Sequence, residues 1–220
     1  MAYIYLLGVI VYTILWLVFF FLRKDLRRKL VVMSLLAAPL GIAEMLFIPG
    51  YWNPRFQAIP LLNNLFLESI LFCLFFGGCT AVFYQAVCNE KLLKLKRINP
   101  MLTLIAPVLF MLYFARPVEV NVMVYAYVSM FIGAITTLFF LGKSASGKVI
   151  MSGIVSLVVY FIAYLIVWNI FPELKASYNF SALSGLLVFG IPVEEFLWIF
   201  SFALYWTPIY EIWKNYIKKR

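Results

Sequence analysis

Two adjacent carboxylates, Glu194 and Glu195, follow Ile191, Pro192 and Val193 inside an apolar run from Ser181 to Ile212. Glu68 stands in a second such run, Leu61–Val87, and Glu44 lies near the end of a third, Leu30–Ile48. A carboxylate in hydrocarbon is costly, so each needs a partner, a proton or a task. A carboxyl in apolar surroundings keeps its proton, as a general acid must. Close carboxyls also let one donate while its neighbour takes the proton back. Four and eight residues after each acid comes a ring: Phe72 and Phe76 after Glu68, Trp198 and Phe202 after Glu194. That spacing keeps the rings on the acid's face of a helix. Asn64 stands four residues before Glu68 on the same reading. An acid beside ring faces suits chemistry through a carbocation: the acid protonates an alkene and the rings stabilise the cation. The plainer alternative is packing. Aromatic residues make up 19% of the chain, and the acids then pair with Asn64 or with each other to hold a bundle together.

Several chemistries are excluded by residue types. There is no histidine, which removes His-based metal sites and Ser-His-Asp triads. Cys73, Cys79 and Cys88 show no metal-ligand spacing and read as small apolar fillers. Asp25 is the sole aspartate, against a magnesium-diphosphate prenyltransferase. The last run has no lysine before Lys214, against a retinal Schiff base, and no Gly-x-Gly-x-x-Gly fingerprint marks a flavin site.

The frame for these acids is a membrane. Of 220 residues 65% are hydrophobic, and the mean hydropathy is +1.00, well above a soluble domain. Seven apolar runs can be drawn: Tyr3–Leu22, Leu30–Ile48, Leu61–Val87, Met101–Ala115, Val120–Leu141, Val149–Phe171 and Ser181–Ile212. Most approach the ~20 residues of a spanning helix. The sequence Met-Ala-Tyr-Ile-Tyr lacks a basic leader, so the first run reads as a retained helix. The Lys and Arg residues alternate with the runs. Arg23, Lys24, Arg27, Arg28, Lys29, Lys91, Lys94, Lys96, Arg97, Lys143, Lys148, Lys214, Lys218, Lys219 and Arg220 fall on one side, against Arg55, Arg116 and Lys175 on the other. This asymmetry predicts an all-α, multi-pass protein of the cell membrane with about seven spans, the N-terminus outside and the C-terminus cytoplasmic. The net charge of +9 then faces anionic lipid rather than nucleic acid. Asp25, Glu90, Glu119, Glu173 and Glu211 read as ordinary solvated charges. Glu68 falls roughly 10 Å from the start of its run, in the same outer half of the bilayer as Glu194, with Glu44 approaching that level.

A shift of 126 residues lays Trp52–Val87 on Tyr178–Trp213 without a gap. Asn53 meets Asn179, Glu68 meets Glu194, Leu71 meets Leu197, Phe76 meets Phe202 and Tyr84 meets Tyr210. The simplest architecture is a 3+1+3 parallel repeat: helices 1–3 with their basic loop over residues 1–99, a linker helix over 100–119, and helices 5–7 over 120–220.

These residues resemble the membrane-integral, flavin-independent lycopene cyclases, found as two subunits, as one fused chain, or as the N-terminal part of bifunctional fungal proteins. The likeness lies in Trp52-Asn53-Pro54-Arg55, Asn64 to Phe72 and Tyr84, and again in Tyr178-Asn179, Ile191 to Leu197 and Tyr210-Glu211. The family's mark is a Pro-apolar-Glu-Glu-apolar-Leu segment in each half. The first copy departs from it, with Phe66 at the proline position and Ser69 at the second glutamate. The resemblance implies a redox-neutral isomerase of carotenoid biosynthesis: a glutamic acid protonates a ψ end group of lycopene or a related polyene, and a β-ionone ring closes. It implies Glu68, Glu194 and Glu195 as catalytic residues and Glu44 beside them. No cofactor is required, the partners are the lipophilic polyene and the bilayer, and association with other carotenoid enzymes is expected. Two rivals share the pattern: a small transporter with parallel three-helix repeats and proton-coupled carboxylates, and a non-catalytic membrane scaffold of the same fold.

Overall fold

A computed structural model describes residues 3–55, 57–96, 98–115 and 121–217, and the side chains of all of these but 113–115. Arg97, Arg116, Glu119, Val120 and the terminal Lys218, Lys219 and Arg220, all used in the charge and span reading, lie outside the described residues. The chain is helical almost throughout. Its helices are α1 (Ile4–Leu22), α2 (Arg27–Ala37), α3 (Leu67–Val87), α4 (Ile105–Ala115), α5 (Val122–Leu141), α6 (Lys143–Ile170), α7 (Val193–Trp206) and α8 (Ile209–Ile217).

Five stretches are long and apolar enough to cross a membrane by length and composition: Ile4–Leu22, Arg27–Leu46, Leu67–Val87, Val122–Leu141 and Lys143–Ile170. Their outward faces carry exposed Ile10, Val11 and Ile14, then Ile132, Ile135 and Phe139, then Val158, Ile162 and Ile166. Such continuous apolar surface is stable only against lipid. The protein is therefore a multi-pass membrane protein.

The helix ends differ from the apolar runs, for local reasons. Pro39 interrupts the ladder of α2, and the chain continues as a 3-10 helix over Ala38–Leu46 that carries Glu44. Gly142, at φ 81°, turns the chain within one residue, so Lys143 and Lys148 belong to the start of α6 rather than to a loop. The runs from Leu61 and from Ser181 do not begin as helix. Each opens with a small antiparallel hairpin, β1 (Pro60–Leu62) with β2 (Leu65–Phe66), and β3 (Leu187–Val188) with β4 (Ile191–Pro192). Asn64 turns the first at φ 58°, and Phe189 and Gly190 turn the second at φ 51° and 79°. Helix α7 has 14 residues and stops before Pro208, which separates it from α8. The acids expected inside long helices therefore sit in first turns, directly after hairpins.

Helix α3 packs against α1, α2 and the 3-10 helix, while α7 packs against α5 and α6, and α4 lies on α5. Glycines permit the closest approaches. A Cβ at Gly41 would stand 2.6 Å from the Ile70 backbone of α3, and one at Gly153 would stand 2.8 Å from the Phe200 ring of α7. The two groups meet where α3 touches α6 and α7. At the hairpin end of this seam Trp52 bridges Tyr178; Asn53 N–H donates to Ser177 O at 2.6 Å and Asn179 N–H donates to Tyr51 O at 3.0 Å. Trp52 and Tyr178, the bridged pair, are the two residues that the sequence alignment sets on each other.

The opposite, basic end corrects two expectations. Lys29 and Glu211 are buried, not solvated, and pair at 2.9 Å with side chains 0% and 2% exposed. Lys29 Nζ also donates to Thr207 O at 2.9 Å, and the Gln85 amide lies against the pair. At the surface nearby, Arg23 clasps Asp25 and donates to the carbonyls of Gln85 and Glu90. Hydrogen bonding from Arg23 holds the Asp25 carboxyl below its usual range.

Candidate active site

The two hairpin–helix units place their acids in the same way. Glu68 occupies the first turn of α3 and its Oε1 accepts from Ala58 N–H at 2.7 Å and Ile59 N–H at 3.1 Å. Glu194 occupies the first turn of α7 and its Oε1 accepts from Ser184 N–H at 2.7 Å. Both carboxylates thus reach ten residues back, fold the incoming strand over a helix N-terminus, and satisfy backbone donors there. A carboxylate suits that position because the helix dipole and free N–H groups favour negative charge. Glu194 keeps a second oxygen, Oε2, that is buried and makes no hydrogen bond among the described residues.

Glu195, one residue on, points elsewhere. It is 4% exposed. Its Oε1 accepts from the hydroxyls of Tyr51 and Tyr178, the latter at 3.1 Å, and its Oε2 accepts from Tyr160 at 2.5 Å. The hydroxyl of Tyr164 bonds that of Tyr178. These tyrosines come from three places: the loop before β1, helix α6, and the loop before β3. All the direct donors are neutral, and a hydroxyl can accept as well as donate. The cage therefore accommodates a carboxylic acid as readily as a carboxylate.

Beneath this cage lie the rings expected from the sequence. Phe72 stacks on Phe76 at 5.0 Å between centroids; Phe76 stacks on Trp198 at 5.6 Å and on Phe202 at 5.7 Å; Trp198 and Phe202 stack at 5.7 Å. Tyr160 reaches Trp198 at 6.1 Å, joining cage to stack. Phe76 and Phe202 are buried within the column, while Phe72 and Trp198 are half-buried and retain free ring surface. Each such contact is worth about 0.5–1.5 kcal/mol beyond area burial, so the column also locks α3 against α7.

Glu44 joins a different cluster. Gln57 Nε2 lies 3.3 and 3.4 Å from its two oxygens and donates to Ser69 Oγ at 2.9 Å. Ser69 occupies the position that Glu195 holds in the second unit. Asn64 sits apart from both clusters: it is exposed at the hairpin turn, because α3 begins after it. An open groove lined by Asp25, Lys91 to Leu95 and Asn215 belongs to the basic end and has no part in this site. Among the described residues no group of three His, Cys, Asp or Glu is placed to hold a metal.

The sequence reading missed the tyrosine cage. One signal was available: Tyr160, Tyr164 and Trp168 recur at four-residue spacing on α6, which makes one polar-tipped aromatic face. Tyr51, beside the repeated Trp52, gave no signal.

Residues 122–213 match the family model described as lycopene cyclase. The matched segment contains α5, α6, α7, both adjacent glutamates, Tyr160, Tyr164, Tyr178, Trp198 and Phe202. No curated protein and no solved structure matches the chain. The likeness to that family spans less than half of the chain.

Proposed function

We propose, from a lycopene cyclase family match that covers the α5–α7 half, that this protein closes a β-ionone ring on the ψ end group of lycopene or a related linear carotenoid. The reaction runs within the cell membrane and is a redox-neutral isomerisation. The observation that carries the reading is Glu195: a buried carboxyl, held by three tyrosine hydroxyls, at the head of a ring column whose Trp198 and Phe72 keep free surface.

Glu195 is the general acid. Its O–H bond breaks as a C–H bond forms at C2 of the terminal C1–C2 double bond, which leaves a tertiary cation at C1. The C5–C6 double bond attacks that cation and closes the ring. Loss of the C6 proton restores a double bond, and the Glu195 carboxylate takes that proton back. The faces of Trp198 and Phe72 stabilise the cation, an effect of about 2 kcal/mol when water is excluded. Tyr51, Tyr160 and Tyr178 hold the carboxyl at one position, so little reorganisation accompanies proton transfer. Glu68 and Glu194 are positioning residues, each tying a hairpin to its helix. The first unit has Ser69 where an acid would stand, so one end group reacts per binding event and a monocyclic product comes first.

Expression in bacterial cells that accumulate lycopene tests this reading. Chromatography of extracted pigment is expected to give a monocyclic carotene before any dicyclic one. Unchanged lycopene, with the protein present in the membrane, overturns it in favour of transport or a scaffold role.

A further inference from the structure

Glu195 is buried under lipid-facing helices, yet an acid that loses its proton without closing a ring must be recharged. The hydroxyl network offers a way out. Tyr178 donates to Glu195 and bonds Tyr164. Next to this pair lie three buried polar atoms that make no hydrogen bond among the described residues: Tyr5 Oη, Ser177 Oγ and Trp168 Nε1. Ser177 and Trp168 are 1% and 5% exposed. The Trp168 ring lies 5.1 Å from that of Tyr164 and 5.6 Å from that of Tyr178. The Tyr5 hydroxyl faces that of Ser177. Two hydroxyls that reach each other and an indole N–H, buried beside the tyrosine network and making no other hydrogen bond among the described residues, are polar surroundings of the kind that hold ordered water, which needs two to four polar contacts. Tyr178 belongs to the loop at the hairpin end, where Trp52 and Asn179 are partly exposed.

We propose that Tyr178 and Tyr164, with water held by Tyr5, Ser177 and Trp168, form a proton-exchange path between Glu195 and the aqueous phase at the hairpin end. This inference rests on Glu195 as the acid. Each hydroxyl passes a proton by donating one and accepting another, so no group changes its net charge after a complete transfer. Ring closure itself consumes no proton, because the C6 proton returns to Glu195. The path acts between turnovers and replaces that proton with one from water.

Deuterium reports the exchange directly. Membranes containing the protein are equilibrated in D2O, given lycopene, and the cyclic product is analysed by mass spectrometry over many turnovers. The wild-type protein is expected to place about one deuterium in each ring, since the acid refills from solvent. Tyr178→Phe and Ser177→Ala are expected to form rings in which deuterium falls at least twofold, because the proton taken from C6 is reused. Tyr205→Phe, whose hydroxyl bonds Thr103 O away from this network, is expected to keep the wild-type content. Rings without deuterium in the wild type overturn the path while leaving cyclisation intact. Full deuterium content in Ser177→Ala overturns it too, even where Tyr178→Phe forms no ring. Absence of any ring in the wild type overturns the acid assignment and the path together.

Discussion

The two hairpin–helix units share a clamp and differ in what stands beside it. Glu68 and Glu194 bind backbone N–H groups ten residues upstream at the same 2.7 Å. Next to them the first unit has Ser69, joined through Gln57 to Glu44, and the second has Glu195 within tyrosine hydroxyls. The difference separates two jobs that adjacent glutamates perform. The first glutamate fixes the chain entering the helix; the second faces the helix interface, where the rings are. A helix places neighbouring residues about 100° apart, so one step along the chain separates a loop clamp from a group held in the tyrosine cage.

Breaking the acid has the largest expected effect. Glu195→Gln keeps the size and the hydrogen-bonding oxygen but removes the transferable proton, and is expected to lower ring formation by roughly 10²–10⁴-fold. Ser69→Ala, at the matching position, is expected to change it less than about twofold. Product formation normalised to protein in the membrane checks both.

The seam between the halves comes next. Lys29 from the first half and Glu211 from the second form a buried pair. Lys29→Met leaves an uncompensated carboxylate and is expected to cost about 3–5 kcal/mol of stability, read as thermal aggregation in detergent. The double change Lys29→Met with Glu211→Leu is expected to recover much of that loss, since replacing a whole buried pair with apolar groups is close to neutral.

The clamps should respond alike. Glu68→Ala and Glu194→Ala each remove charge-assisted hydrogen bonds to backbone N–H groups and are expected to cost about 1–2 kcal/mol. Unequal losses would break the equivalence of the two units. Within the ring column, Trp198→Leu is expected to slow ring formation by about tenfold through lost cation stabilisation. Phe202→Leu, buried within the column, is expected to act mainly on stability, by about 1 kcal/mol.

The smallest effect is expected far from either unit. Asp25, held below the usual carboxylate range by Arg23, contributes stability at pH above about 4 that is lost as pH falls through its depressed value. Its side chain is 47% exposed, so Asp25→Asn should cost under about 1 kcal/mol. The difference from wild type should vanish in acid.

Much of this was legible in the sequence. Apolar runs and charge alternation pointed to a multi-pass helical protein, and spacing by four put Phe72 with Phe76, and Trp198 with Phe202, on one face of their helices; that the two faces meet was not legible. The helix starts were not legible, because Leu61, Leu62, Leu65 and Phe66 are as apolar in a hairpin as in a helix. Only the turn residues Asn63–Asn64 and Gly190 marked the change. Asn64 consequently lost its place beside Glu68. The tyrosine cage was hidden for another reason. Tyr51, Tyr160 and Tyr178 are far apart in sequence, and a tyrosine in an aromatic-rich chain gives no hint that its hydroxyl meets a carboxyl. Lys29 and Glu211 read as solvated because each lies beside a basic loop, whereas the Pro208 break turns Glu211 inward onto α2.

The division of labour between the adjacent glutamates is the central claim. Its most direct test is cyclic carotenoid formed from lycopene by Glu195→Gln and Glu194→Gln side by side. The amide oxygen that Glu194→Gln introduces can still accept the Ser184 N–H. That variant is therefore expected to retain most of the activity, while Glu195→Gln retains almost none. Loss of activity in Glu194→Gln with ring formation preserved in Glu195→Gln would contradict the account and move the acid to Glu194.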